Sequence, residues 1–195
     1  TFPYSEGFES GIGSWSQDGS DDFDWSRNNG GTPSGNTGPN SASNGNWYLY
    51  TEASSNFNNT GNLFSPCFDL SGISNPEFSF SYHMYGSNMG TLNIDISTNG
   101  GSSYNNIWSQ TGQVQTSSSS SWNQVSIDLS PYTGQTIKLR INGVTGPSYR
   151  SDMAIDDISI YEQYYNDLSV TAIEKPINGA ATSSSQEIKV KIVES

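Results

Sequence analysis

The chain has 195 residues, of which 32% are hydrophobic, 12% aromatic and only 13% charged. Its 19 acidic and 7 basic side chains give a formal net charge of −12, which argues against nucleic acid as a partner because phosphate binding relies on Lys and Arg. No apolar run approaches the roughly 18 residues that cross a bilayer, so membrane insertion is not expected.

Alternation of apolar and polar residues is the clearest pattern along the chain. From Phe78 to Tyr85 the even positions are large and apolar while the odd positions are mostly polar, as in a strand buried on one face. Turn chemistry such as Asn99-Gly100-Gly101 separates the runs. Many short strands at this spacing predict an all-β, jelly-roll-like antiparallel β-sandwich. The other predicted strands are Leu92–Ile96, Val125–Leu129, Ile137–Ile141, Trp47–Glu52, Asn62–Asp69 and Asp152–Tyr161.

Three segments depart from this pattern. Residues 28–46 and 115–121 are rich in Gly, Ser, Asn and Thr and are predicted to be surface loops. Two further strands follow a linker at 163–166, but two strands cannot make a stable domain alone. We therefore predict a sandwich at 1–162 and, at 167–195, the first hairpin of a truncated immunoglobulin-like β-domain.

Three motifs in a fixed order carry a family resemblance. They are Gly7-Phe8-Glu9, then Asp-Asp-Phe-Asp-Trp at 21–25, then Ala-Ile-Asp-Asp-Ile at 154–158. Taken together, they resemble the MAM domain family of extracellular adhesion modules over about residues 6–162. The resemblance implies a jelly-roll-like sandwich of two antiparallel sheets without an active site.

Many members of that family bind a structural cation near the junction of their first and last strands. Carried onto this sequence, the resemblance implies that the cation is calcium. Carboxylates provide hard oxygen ligands, which suit calcium better than zinc. The alternative is an acidic cluster that is hydrogen-bonded or paired with Arg27. The implied ligands are Glu9, Asp21, Asp22 (through a neighbouring backbone carbonyl), Asp156 and Asp157.

Strand alternation bears on the choice between the last two carboxylates. Successive residues of a regular strand face opposite sides, so Asp156 and Asp157 cannot both point inward. Asp156 shares the face of Ala154, Ile158 and Ile160, so it is predicted to be buried and to need a partner. We therefore favour Asp156 as the ligand, with Asp157 second.

The lone histidine and the lone cysteine carry no catalytic motif. His83 falls on the polar face of its strand without a G-x-S-x-G elbow, and is predicted to be a plain sheet-surface residue. Cys67 cannot form an intrachain disulfide and is predicted to be a small buried residue. Animal MAM domains typically carry several disulfides, so this departure favours a bacterial secreted version.

The function predicted from these features is a non-catalytic interaction or adhesion module of a larger secreted or cell-surface protein, for example an accessory domain of a secreted metallopeptidase. Its partner would be an extracellular protein or a glycan. The alternative is a calcium-stabilised carbohydrate-binding module, with Trp108 and Trp122 as the most exposed platforms for sugar stacking. A structural spacer is a third possibility. A glycosidase is disfavoured because the acids cluster in one turn and at one strand end.

Overall fold

A computed structural model of the chain describes residues 2–164, 168–175 and 189–194. The chain forms two compact units, Thr1–Glu162 and Gln163–Ser195. The described residues are almost entirely strand and loop, with one short 3-10 helix at Ser130–Tyr132. The strands are β1 Tyr4–Glu6, β2 Ser16–Gln17, β3 Ser26–Asn28, β4 Tyr48–Tyr50, β5 Thr60–Asp69, β6 Pro76–Met84, β7 Thr91–Ser97, β8 Asn105–Thr111, β9 Asn123–Asp128, β10 Thr136–Val144, β11 Met153–Glu162, β12 Leu168–Lys175 and β13 Lys189–Glu194.

The first unit is built from two antiparallel sheets. A six-stranded sheet has the order β3-β4-β11-β6-β9, with β1 also paired to β11, and a five-stranded sheet has the order β2-β5-β10-β7-β8. The predicted all-β, jelly-roll-like sandwich is therefore confirmed. In the second unit, β12 and β13 form a two-stranded antiparallel sheet. That this hairpin opens an immunoglobulin-like domain stays a prediction.

Each predicted strand overlaps an observed one, but the bounds differ: β4 is shorter than the predicted Trp47–Glu52, and several other strands extend beyond the predicted residues. Strand β10, for example, continues to Val144 rather than ending at Ile141. Strand β8 was not predicted, because its sequence does not alternate between apolar and polar residues. Its pairing with β7 is interrupted by a register irregularity at Ile94/Asp95. A break in register shifts the side-chain alternation by one residue, so period-2 patterns weaken at such points.

The main core fills the space between the two sheets with aromatic and aliphatic side chains. Trp25, from the Asp-Asp-Phe-Asp-Trp motif, is buried there, and its indole N–H donates to the carbonyl of Gly61. Its ring lies so close to Gly143 that a Cβ at that position would come within 2.8 Å of it. The motif tryptophan is thus a packing residue whose fit requires a glycine on β10.

A second, smaller cluster covers the outer face of the six-stranded sheet. It consists of Tyr48, Tyr50 and Ala154, with Trp122 packed against it. The two predicted surface loops bring buried residues toward this sheet, since Thr37 and Gln115 are both buried. The Gln115 side chain accepts a hydrogen bond from the backbone of Met84 on β6. These loops therefore act partly as a cover for one sheet.

Candidate functional site

Two of the predicted cation ligands hold a single loop, residues 43–47. Glu9 Oε1 accepts hydrogen bonds from the backbone N–H groups of Asn46 (2.8 Å) and Trp47 (2.9 Å). Asp156 Oδ2 accepts from those of Ser43 (2.9 Å) and Asn44 (3.0 Å). The first and last segments of the sandwich are therefore joined to this loop through carboxylates.

A bulge in β11 follows directly after Asp156. Asp157 has a φ of 54°, and the pairing of β11 with β6 shifts register between Asp156 and Ser159. The bulge turns Ile158 toward the main core, while Ala154 belongs to the outer cluster. Asp156 is fully buried as predicted, but the prediction that it shares a face with Ile158 and Ile160 is wrong, because the extra residue breaks the alternation.

The two carboxyl groups experience opposite environments. Hydrogen bonds from the backbone of Trp47 and Asn46 lower the pKa of the exposed Glu9. Burial raises the pKa of Asp156 to about 6, although three backbone N–H groups oppose the shift. Two are those of the loop, and the third is that of Asp157, 2.7 Å from Asp156 Oδ1. Asp156 is thus a buried carboxyl held by amide donors.

Arg27 supports the same region through backbone carbonyls. Its guanidinium donates to the carbonyl oxygens of Phe8 and Glu9 and lies 3.6 Å from the ring centroid of Trp47. Among the residues described, the ion pair that forms joins Arg140 and Asp95 instead. Arg27 therefore fixes the backbone that carries Glu9 and contributes its charge at longer range.

Asp21 and Asp22 lie elsewhere, at the start of β5. Asp21 Oδ2 accepts a hydrogen bond from the backbone of Asn62, and Asp22 Oδ2 accepts one from Thr60 at 2.8 Å. Burial raises the pKa of Asp21, and the neighbouring carboxylates of Asp18, Asp24 and Asp22 add to the increase. These two aspartates attach their own loop to β5.

The five implied ligands are therefore divided between two places. Glu9 and Asp156 bind the two ends of the 43–47 loop, with Asp157 next to Asp156 along the chain, whereas Asp21 and Asp22 hold β5. Within the described ranges, no group of three or more His, Cys, Asp or Glu side chains is placed to hold a metal ion. A calcium ion at the 43–47 loop would thus need backbone carbonyl oxygens as well as carboxylates, which calcium sites commonly use. The calcium site stays a prediction.

The two tryptophans proposed as sugar platforms pack against the protein. Trp108 is half-buried, with Phe80 and Tyr82 edge-on to its ring at 5.3 Å each. Trp122 is also half-buried and donates its indole N–H to the carbonyl of Ser41. Neither ring stands free of protein contacts, and their role in ligand binding stays a prediction.

His83 and Cys67 occupy environments opposite to those predicted. His83 is fully buried rather than at the sheet surface, because it lies against Trp122 beneath the outer cover. Neither ring nitrogen forms a hydrogen bond of normal geometry within the described residues, and burial lowers the pKa of His83 to about 4 even though nearby backbone opposes the shift. Cys67 is exposed because Phe68, the next residue, takes the core position.

Asp152 is a buried carboxyl that the sequence did not single out. Its Oδ1 accepts a hydrogen bond from the backbone of Ala53 at 3.0 Å, while Oδ2 is without a partner in the described part of the chain. Burial raises the pKa of Asp152 to about 7. Its position just before the apolar start of β11 was the only available signal of burial.

A polar cavity of about 370 Å³ was also missed by sequence reasoning. It is formed by segments from four loops that are far apart along the chain, so no local motif could indicate it. Its lining residues are Asn36, Tyr85, Ser87, Gln113, Thr116 and Arg150.

Known proteins share sequence similarity with most of this chain. A family model described as MAM domain, meprin/A5/mu matches residues 7–164. The MAM domain-containing glycosylphosphatidylinositol anchor protein 2 of Rattus norvegicus is 36% identical over 176 residues, covering 80% of this chain but 18% of its own length. The MAM domain-containing glycosylphosphatidylinositol anchor protein 1 of Homo sapiens is 33% identical over 162 residues. The match covers 76% of this chain and 16% of that protein. The chain thus spans less than a fifth of the length of these two relatives.

Solved structures share the fold at low sequence identity. The K1 cleaved adhesin domain of Lys-gingipain from Porphyromonas gingivalis aligns with a TM-score of 0.60 and 19% identity, covering 84% of this chain and all of that one. TmCBM61, solved in complex with beta-1,4-galactotriose, aligns with a TM-score of 0.51 and 17% identity. The alignment covers 80% of this chain and 94% of that one. At such identities the likeness is one of fold. The sequence relatives named above are vertebrate proteins, so the bacterial origin stays a prediction.

Proposed function

Because the chain belongs to the MAM domain family, as its motifs predict, we propose that it is a non-catalytic interaction module of a larger secreted or cell-surface protein. Its extracellular character rests on the family and on relatives named as glycosylphosphatidylinositol anchor proteins. The chain corresponds to a small fraction of those relatives, so it is one module among several in such a protein. No helix in the described ranges is long and apolar enough to span a membrane.

The observation that carries this proposal is the use made of the carboxylates. Glycosidic hydrolysis requires two carboxyl groups that face one bond of the substrate and remain available for proton transfer or nucleophilic attack. Here Glu9 and Asp156 accept backbone hydrogen bonds from one loop, and Asp21 accepts one from β5. These carboxylates join segments that are distant along the chain, which supports a structural rather than a catalytic role.

Calcium at the 43–47 loop is part of the proposal. Glu9 and Asp156 both bind this loop, and their carboxylates provide hard oxygen atoms of the kind calcium prefers. Zinc is disfavoured because structural zinc sites are built from Cys and His ligands, whereas Cys67 is exposed on β5 and His83 is buried on β6. The ion would brace the loop against the first and last segments of the sandwich.

The parent protein is proposed to be an adhesin or a secreted peptidase that carries this module as an accessory domain. The fold likeness to a cleaved adhesin domain of Lys-gingipain supports that context. Carbohydrate binding is the second candidate function, supported by the fold likeness to TmCBM61, whose structure contains a galactotriose.

A binding screen tests the proposed function. The domain would be displayed as a streptavidin tetramer and applied to an array of neutral and acidic glycans and to a panel of extracellular matrix proteins. We expect saturable binding to at least one of them, competed by excess untagged domain. A Cys67→Ser background keeps the exposed thiol from forming intermolecular disulfides that would mimic avidity. Absence of saturable binding to both panels would contradict the proposal and favour the spacer.

A further inference from the structure

We propose that the polar cavity lined by Arg150 binds a carboxylate-bearing sugar residue, such as a uronic or sialic acid unit of an extracellular glycan. This inference rests on the carbohydrate-binding candidate described above and assigns it a site and a ligand class. The cavity, called here the Arg150 pocket, is lined by Asn36, Tyr85, Ser87, Gln113, Thr116 and Arg150. Its volume of about 370 Å³ lies within the range of small-molecule sites, roughly 300–1,000 Å³.

The charge of the Arg150 pocket differs from that of the chain. The protein has 19 acidic and 7 basic side chains, yet the only charged residue among those lining the pocket is an arginine. A second cavity, near Phe2 and Phe68, is lined instead by aromatic rings together with the carboxylate of Asp69. The Arg150 pocket is thus complementary to an anion, and the second cavity is not.

Arg150 itself has unused donors. Its Nε donates to the hydroxyl of Tyr149 at 3.2 Å, and the guanidinium lies 5.5 Å from that ring. Within the described ranges it forms no ion pair, in contrast to Arg140. The terminal Nη groups can therefore donate to an incoming carboxylate, and paired guanidinium–carboxylate hydrogen bonds are among the strong polar contacts of proteins.

The remaining lining residues suit the hydroxyl groups of a sugar. Asn36 and Gln113 each provide an amide with two donors and an acceptor, and Tyr85, Ser87 and Thr116 provide hydroxyls that can donate or accept. A sugar ring presents the same mixture of donors and acceptors. One cation surrounded by neutral polar groups therefore matches a ligand with one carboxylate and several hydroxyls.

The walls of the pocket are fixed by hydrogen bonds between its loops. A β-bridge joins Thr37 to Gly86, and the N–H of Gly38 donates to the carbonyl of Tyr85 at 2.8 Å. The Asn88 N–H donates to the carbonyl of Arg150 at 3.2 Å. These contacts join three of the loops that line the pocket. Because the loops are already fixed, little conformational entropy is lost when a ligand binds.

Matched pairs of acidic and neutral sugars test the proposal. Calorimetric and NMR titrations would compare tri-galacturonate with galactotriose, and sialyllactose with lactose, so that the two arms separate uronic from sialic ligands. We expect the wild-type protein to bind one acidic sugar at least tenfold more tightly than its neutral partner. Arg150→Gln should weaken that binding by roughly tenfold or more, because a hydrogen-bonded charge pair is lost.

Lys138→Gln is the matched control, since it removes the same charge from a half-exposed residue outside the pocket. It should bind the acidic sugar within about twofold of wild type, and unchanged circular dichroism would show that both variants fold. Equal binding of acidic and neutral sugars, no binding of any acidic probe, or equal losses in the two variants would overturn the pocket assignment. Glycan binding as a function would still be judged by the array, where neutral glycans are also present.

Discussion

Asp152 is the residue at which burial and charge conflict most strongly. Its side chain is fully buried, and one carboxyl oxygen is without a hydrogen-bond partner in the described part of the chain. An ionised carboxylate in such a place is costly, which is why burial raises the pKa of Asp152 to about 7, with Glu52 nearby adding to the increase. The neutral acid is therefore the form that the fold prefers.

The raised pKa predicts the pH dependence of stability. An unfolded aspartate has a pKa near 3.9, so between about pH 4 and 7 the folded protein holds a proton that the unfolded chain has released. The stabilisation is fully present below about pH 4 and is lost as the pH rises through about 7. Asp152→Asn removes this titration, and we expect the loss of unfolding free energy between pH 5.5 and 8.5 to shrink by on the order of 2 kcal/mol.

Guanidinium denaturation at the two pH values would measure this difference. Subtracting the variant from the wild type removes the contributions of Asp156, which has the same sign, and of His83, which has the opposite sign because its pKa is lowered. Identical pH dependence in the two proteins would show that Asp152 does not titrate in this range.

For single residues, the sequence indicated which side chains are structurally important better than it indicated which side chains are buried. The motif residues Glu9 and Asp156 do hold the chain together, and Asp156 is buried as expected. His83 and Cys67 were placed wrongly because alternation tells which residues share a face but not what covers that face. A loop distant in sequence covers His83, and no local pattern contains that information.

Among the structural elements, the 43–47 loop and the bulge of β11 define the candidate site. The bulge could not be predicted, since Asp157 is a non-glycine residue with positive φ and nothing in the sequence marks it. The loop conformation depends on Gly45, whose φ is 65° and where a Cβ would come within 2.3 Å of Glu9 Oε1. The geometry of the bulge and of the loop thus depends on contacts between elements, which strand patterns do not contain.

This loop also provides the test of calcium binding. If calcium joins the loop to Glu9 and the β11 bulge, chelation should lower the melting temperature by several degrees, and added calcium should restore it, because a ligand that binds only the folded state stabilises it. Differential scanning calorimetry with and without chelator would measure the shift.

Two carboxylate variants locate the ion. Glu9→Gln should abolish the calcium-dependent shift, whereas Asp21→Asn, which alters the attachment to β5, should retain it. If Asp21→Asn abolished the shift and Glu9→Gln retained it, the ion would be assigned to the start of β5 instead. An unchanged melting curve together with no metal in elemental analysis would contradict the calcium proposal.

At the scale of the whole molecule, the sandwich followed from sequence and the Arg150 pocket did not. Alternating runs such as Phe78–Tyr85 predict strands, so the approximate positions of the main strands could be derived. The prediction that this strand is buried on one face is wrong, because Ser79, Ser81 and His83 on its polar face are buried as well. The pocket combines Asn36 with Arg150, which belong to different loops and come together only after the sheets pack. Binding surfaces made of loops depend on that final arrangement.

We propose that the carboxylates of this module serve structure and not catalysis. The most direct test is a turnover assay with peptide and glycan substrates, comparing the wild type with folded Glu9→Gln and Asp156→Asn variants. We expect no hydrolysis above the buffer rate from any of the three, while the variants lose thermal stability. Hydrolysis by the wild type that disappears in either variant, with the fold retained, would show instead that the carboxylate is catalytic.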